Sequence, residues 1–159
     1  MKLLTNVFNS FYQMIFRIGT GTPWPNFYWQ TATLLCENFI LKRKLGFIFH
    51  LANLGCDTLA RQVLDIEVAN KLDGIVSQNM EHINKLGFKE VNELSSISKW
   101  SFKRLVRKYI NKKNESELLN SMKNYKKLDH SEMSQEPYKR KSYFFNMSLE
   151  DTRFAFRIS

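Results

Sequence analysis

The chain has little to break or staple it: of its 159 residues, two are cysteine, three proline and six glycine. Cys36 and Cys56 are too few for the disulfide framework of a small secreted scaffold, and they fit a reducing, intracellular setting. The opening MKLLTNVFNSFYQMIF has the apolar character of an export signal. Asn6, Asn9, Ser10 and Gln13 interrupt it, however, and no small-residue cleavage site follows, so export is not expected. Nowhere is there the uninterrupted apolar run of about 20 residues that a spanning helix needs. Lys42, Arg43 and Lys44 divide the strongest candidate, and no membrane partner is expected.

The residues that usually carry chemistry are equally sparse. His50 and Cys56 are six apart, and Cys36, His82 and His130 are distant, a pattern that matches no zinc ligand spacing. Both cysteines read as small core residues, and His50, on a helix dense with Phe, as a partly buried one. Asp57, Asp65, Glu67 and Asp73 stand near helix starts or on exposed faces. The adjacent acids Glu150 and Asp151 suit the first turn of a helix, where negative charge meets the positive end of the dipole. GTGTP at 19–23 lacks the Lys and the helix of a phosphate-binding loop. No catalytic residue, metal, cofactor or small-molecule substrate is expected.

What the chain does have is apolar surface. Hydrophobic residues make up 43% and include 13 Phe, enough for a core rather than a disordered coil. No stretch alternates as a strand would, and no repeat or low-complexity tract interrupts the chain. The expectation is all-α: one domain of about six helices over residues 1–159. It comprises an N-terminal helix and connector (1–26), core helices (27–97) and a basic helical half (98–159). Leu4, Val7, Phe8, Phe11, Ile15 and Ile18 recur at helical spacing. The Pro-containing connector near residues 19–26 follows, where Pro23 and Pro25 oppose a helix.

From Ala32 to Leu54 two apolar stripes run together, one through Leu34, Leu41, Leu45, Ile48 and Ala52, the other through Cys36, Ile40, Phe47, Leu51 and Leu54. A helix apolar on two sides belongs inside a bundle. Gly55 ends it. Asp57 is placed to cap a helix with Leu59, Val63 and Ile66 on one face, and Asp73 a helix running to Leu86 and closed by Gly87. Ser98 caps a basic helix, and Asn114 with Glu117 has the spacing of a capping box that opens the next. Ser148 with Asp151 repeats that signal more weakly. Leu128 to Pro137 reads as loop.

Charge is uneven. Residues 1–98 hold 9 basic and 8 acidic side chains, and residues 99–159 hold 15 and 7, so nearly all of the net +9 lies in the second part. A clustered field of that sign favours a polyanionic partner, since screening acts over about 8 Å at physiological salt. SKWSFKRLVRKYINKKN at 98–114 contains seven Lys or Arg and no acid. At 100° per residue Phe102, Leu105, Val106 and Tyr109 share one face, and Arg104, Arg107 and Lys108 point away. Trp100 falls on the charged side. Two readings of it stand: the indole stacks on a base while the cations meet phosphates, or it folds over a neighbouring loop while the cations stay hydrated. Further basic clusters surround Tyr125 (Lys123, Lys126, Lys127) and precede SYFF (Lys139, Arg140, Lys141), and Arg153 and Arg157 align one turn apart.

PNFYWQT (25–31), LKRKLGFIFHLANL (41–54), SKWSFKRLVRKYINKKN (98–114) and YKKLDHSEMSQEPYKRKSYFFNMSLEDTRFAFRIS (125–159) together resemble the segment that follows the polymerase core in reverse transcriptases of non-LTR retrotransposons. The resemblance implies a helical thumb and post-thumb region that supports template and primer. It implies no catalysis by this chain, because such polymerases hold two magnesium ions with a paired-aspartate motif in their palm, and no Asp-Asp pair occurs here. Relatives continue past the FRIS-like end into a Cys/His-rich segment, so the likeness is to a fragment or degenerate copy. The expected role is that of a non-enzymatic accessory region binding RNA, DNA or an RNA-DNA hybrid. Its contacts would be Lys99, Trp100, Lys103, Arg104, Arg107, Lys108, Lys112, Arg153 and Arg157. The alternatives are an inactive structural remnant or a protein-interaction scaffold.

Overall fold

The computed structural model describes residues 2–17 and 23–123. The chain is all-α: among the described residues there are six α-helices, α1 (Lys2–Phe16), α2 (Trp24–Thr31), α3 (Cys36–Ala52), α4 (Leu59–Ala69), α5 (Met80–Lys85) and α6 (Lys99–Lys123), and no strand. Short 3-10 turns at Ser77–Asn79 and Val91–Ser96 precede α5 and α6. Two compact units form, one from the described residues up to Asn38 and from Lys112 to Lys123, the other from Phe39–Asn111. No helix among the described residues is long and apolar enough to cross a membrane.

In the first unit the core is aromatic. Phe27, Tyr28 and Trp29 of α2 are buried with Leu118 and Met122 of α6, and Tyr12 and Phe16 of α1 pack against them. Tyr12 and Phe16 lie 5.3 and 5.5 Å from Phe27 between ring centroids, within the range where edge and tilted contacts are favourable. The Tyr28 hydroxyl donates to Asn9 Oδ1 at 2.6 Å. The prolines behave otherwise than expected. Pro23 is the N-cap of α2 and Pro25 sits in its first turn, where a missing N–H removes no intrahelical bond and a fixed φ is already helical. The connector therefore ends at Pro23, and WPNFYWQT is a core helix.

The expected stripe of α1 is not its core face. Tyr12 and Phe16 pack on the core, while Leu4, Val7 and Phe11, with Leu3 and Met14, are exposed and Phe8 and Ile15 are half-buried; Ile18 lies outside the described residues. The sequence arc is wider than the surface α2 covers.

Asn114 and Glu117 open no new helix, because α6 runs unbroken from Lys99 to Lys123. Asn114 is fully buried and its Oδ1 accepts from the Leu35 amide at 2.8 Å and from Asn38 Nδ2 at 2.9 Å. Its Nδ2 donates to the Thr33 carbonyl at 3.3 Å. Glu117 accepts from Asn38 Nδ2 at 2.6 Å and from Lys113. A three-residue spacing puts two side chains on one helix face whether the helix begins there or passes through. Here they accept the Leu35 amide and the Asn38 side-chain N–H groups at the start of α3.

In the second unit Leu41, Leu45, Ile48, Phe49 and Ala52 of α3 are buried, as are Phe102, Val106 and Ile110 of α6. Phe49 and Phe102 stack, with centroids 4.3 Å apart and planes 15° from parallel. The expected first stripe is thus core from Leu41 on, while Leu34 lies before α3 and is half-buried. In the second, Cys36 is buried, Ile40, Leu51 and Leu54 are half-buried, and Phe47 is exposed. Thr58, not Asp57, caps α4, its Oγ1 accepting from the Arg61 amide. Leu64 is the buried residue of that helix, and Leu59, Val63 and Ile66 face outward. Arg61 explains the orientation: it donates to the Ala52 carbonyl at the end of α3, to Asn92 Oδ1 at 2.9 Å, and pairs with Asp65. Asp73 caps no helix. Helical turns begin only at Ser77, after the Glu67 carboxylate has accepted the Val76 amide at 2.6 Å. Gly87, at φ +98°, does close α5 in the left-handed conformation that suits glycine.

Two tests follow from the first unit. Asn114→Ala leaves the Leu35 amide and the Asn38 amide without their shared acceptor, and should lower the unfolding free energy by about 1–3 kcal/mol in a denaturant titration. Burial, reinforced by Tyr12 and Cys36, holds the Tyr28 phenol well above its ordinary 10.0. Burial likewise raises Tyr12 and the Cys36 thiol. The fold therefore favours the protonated forms. Their contribution is complete below the unfolded values and is lost as pH rises past them, because the unfolded chain releases these protons first. Chemical denaturation should become easier between about pH 9 and pH 11, and Tyr28→Phe should flatten that decline.

Candidate nucleic-acid interface

The second unit carries a groove of about 1140 Å³ between α3 and the first half of α6. Its α3 wall is one helical stripe, Phe39, Lys42, Arg43, Gly46, Phe47 and His50, at intervals of three and four, with Asn53 just past the helix end. Its α6 wall is Lys99, Trp100, Lys103, Arg104 and Arg107. The floor includes the stacked Phe49 and Phe102. Six lining side chains are Lys or Arg and none is acidic. Among the described residues the salt bridges involve Arg61, Lys85 and Lys113, none of them in the groove. The cations are exposed, and among the described residues no acid neutralises them.

Local sequence explains the α6 wall. Ser98 caps the helix, its Oγ accepting from the Ser101 amide at 3.2 Å, which fixes the register. With Phe102 and Val106 inward, about 100° per residue places Lys99, Lys103, Arg107, Trp100 and Arg104 in one arc of about 140°, with Lys108 and Lys112 beyond it. Trp100 is 68% exposed, so it does not fold over a loop. The Arg104 guanidinium lies over the indole, 5.2 Å from its centroid, and on the opposite wall Arg43 lies 5.3 Å from the Phe39 centroid. Each pair gains about 0.5–1 kcal/mol at an exposed site and holds a planar cation over an exposed aromatic side chain.

Of the residues expected to bind nucleic acid, the groove brings together Lys99, Trp100, Lys103, Arg104 and Arg107. Lys108 is exposed but does not line it. Lys112 is exposed and belongs to the other unit. Arg153 and Arg157 lie outside the described residues, as do the basic clusters around Tyr125 and before SYFF, the loop from Leu128 and the cap at Ser148. Sequence reasoning missed Phe39, Lys42, Arg43, Phe47 and His50. His50 is exposed in the groove instead of partly buried, and Cys56 is exposed while Cys36 is core. The signal was present: KRK with Phe four residues before Arg43 and four after marks one face that is both basic and aromatic.

The groove can receive an extended anion. Arg and Lys pair with phosphate oxygens, the guanidinium by two parallel bonds, and exposed rings accept flat groups. Among the described residues no cluster of His, Cys, Asp or Glu could hold a metal ion. Comparison of the chain with known protein families, curated proteins and solved structures gives no match.

The three tryptophans differ in access, Trp29 being buried, Trp24 half-buried and Trp100 mostly exposed. Trp100→Phe should remove most of the acrylamide-quenchable emission and leave the far-ultraviolet dichroism unchanged.

Proposed function

We propose that this chain is a non-enzymatic nucleic-acid-binding region, an accessory segment of the kind that follows the polymerase core in non-LTR retrotransposon reverse transcriptases. The observation that carries the binding role is the convergence on one groove, beside an exposed indole, of six cations from two helices that pair with no acid among the described residues. Counterion release grows with the number of phosphates neutralised together, so cations sharing a groove count for more than the same number scattered. The field of a concave, one-signed surface also raises the local concentration of an anionic ligand. The likeness to the retroelement segment rests on the four sequence stretches quoted above, and two of them, LKRKLGFIFHLANL and SKWSFKRLVRKYINKKN, supply most of the groove.

A second reading is favoured by a different observation. Leu3, Leu4, Val7, Phe11 and Met14 of α1 and Leu59, Val63 and Ile66 of α4 are exposed, the kind of uncovered apolar surface left when a partner is missing. On that reading the chain is an inactive remnant or a protein-interaction scaffold.

A salt titration of oligonucleotide affinity separates them. If six phosphates are neutralised, the logarithm of the association constant falls with that of salt at a slope of about −4 to −5. Replacing Arg104 and Arg107 by Ala should reduce that slope by about 2. Affinity that is flat in salt and unchanged in the double variant, with association that grows with protein concentration, would leave the remnant reading.

A further inference from the structure

A groove that took only phosphates would need no uncovered rings. This one keeps Trp100 68% and Phe47 49% exposed among its cations, apolar surface that a ligand with a flat face would cover. A duplex buries the faces of its bases in its own stack and offers a protein phosphates and groove edges. Unpaired bases offer the face itself, and their stacking on aromatic side chains is the usual mode for single strands.

Gly46 is the second observation. It lies in the interior of α3, where glycine is less favourable than alanine, and a Cβ built on it would meet nothing within 4 Å. Packing within the described residues therefore gives no reason for a glycine. Gly46 lines the groove between Arg43 and Phe47, and its bare backbone leaves the α3 wall low at that point, which permits close approach of a chain lying across it.

We propose that the groove takes single-stranded rather than duplex nucleic acid, with an unpaired base stacked on the Trp100 indole and the sugar-phosphate backbone crossing α3 at Gly46. Arg104 covers part of the indole, and the exposed remainder receives the base. Arg43, Lys103 and Arg107 meet the phosphates on either side. This inference rests on the nucleic-acid reading above and adds the strandedness of the ligand and the place where it lies.

The test uses the full chain and fluorescence anisotropy near physiological salt. Its probes are one sequence as single-stranded DNA, as single-stranded RNA and as blunt duplex DNA, plus an abasic single strand of the same length. Expected is binding of an intact single strand about ten- to a hundredfold tighter than duplex or abasic strand, the ratio one stacked base supplies. The DNA and RNA arms show which sugar the groove accepts. Trp100→Ala should erase that ratio and Trp100→Phe should keep part of it, while salt-dependent binding of heparin persists in both. Gly46→Leu, which fills the groove wall with a better helix former, should keep its helical dichroism and lose single-strand affinity at least about tenfold. Duplex or abasic strand bound as tightly as the intact strand, with a steep salt dependence, overturns the single-strand inference and leaves the polyanion reading standing. Undiminished single-strand binding by Gly46→Leu overturns the crossing point. Failure of every nucleic acid to bind overturns both readings.

Discussion

The parallel stack of Phe49 on Phe102 holds the last turn of α3 to the first turn of α6, and the surface of residues 39–111 is arranged around it. Once Phe102 is turned inward, helix geometry fixes its neighbours: Trp100, Arg104 and Arg107 stand outside the buried face, in the exposed arc that walls the groove. The same stack turns Phe39, Arg43 and Phe47 of α3 toward the groove. A weakly directional apolar contact thus determines where six charges stand. Their mutual repulsion is tolerable because all six remain in water, where the energy of two charges at 4 Å is only about 1 kcal/mol.

In the unit that contains α1 and α2 the comparable constraint is polar. Asn114 is buried in the middle of a 25-residue helix, where a side-chain amide has to find partners or impose a penalty. It finds them in Leu35, Asn38 and Thr33, groups left over where the chain enters α3. The first turn of a helix leaves its amides without intrahelical acceptors, so the long helix supplies at Asn114 what α3 lacks at its start. The aromatic cluster of Phe27, Tyr28 and Trp29 then closes over α6 at Leu118 and Met122.

Much of the fold was legible in particular residues. The Leu41, Leu45, Ile48 and Ala52 stripe, the Ser98 cap, the inward Phe102 and Val106 and the outward Trp100 all read directly from spacing, because each depends on one helix alone. Three errors share a different origin. Asn114 and Glu117 fit a capping box, yet the same spacing serves an interhelical network. Leu59, Val63 and Ile66 fit a core stripe, yet Arg61, tied to Ala52 and Asn92, turns Leu64 inward. Trp24 and Pro25 read as connector, because the two prolines hide that a first turn tolerates them. In each, a local pattern was compatible with two environments.

By itself the sequence determined the all-α class, the charge asymmetry and, within a helix, the angle of each side chain around the axis, since 3.6 residues per turn fixes that angle without a partner. Tertiary structure decided what each face meets. It joined Lys42 and Arg43 of α3 to the cations of α6 in one groove and left the apolar faces of α1 and α4 in solvent. The physical reason is that periodicity orders residues around an axis, while the choice of which side is covered depends on contacts between residues far apart in the chain, whose energies no local pattern contains.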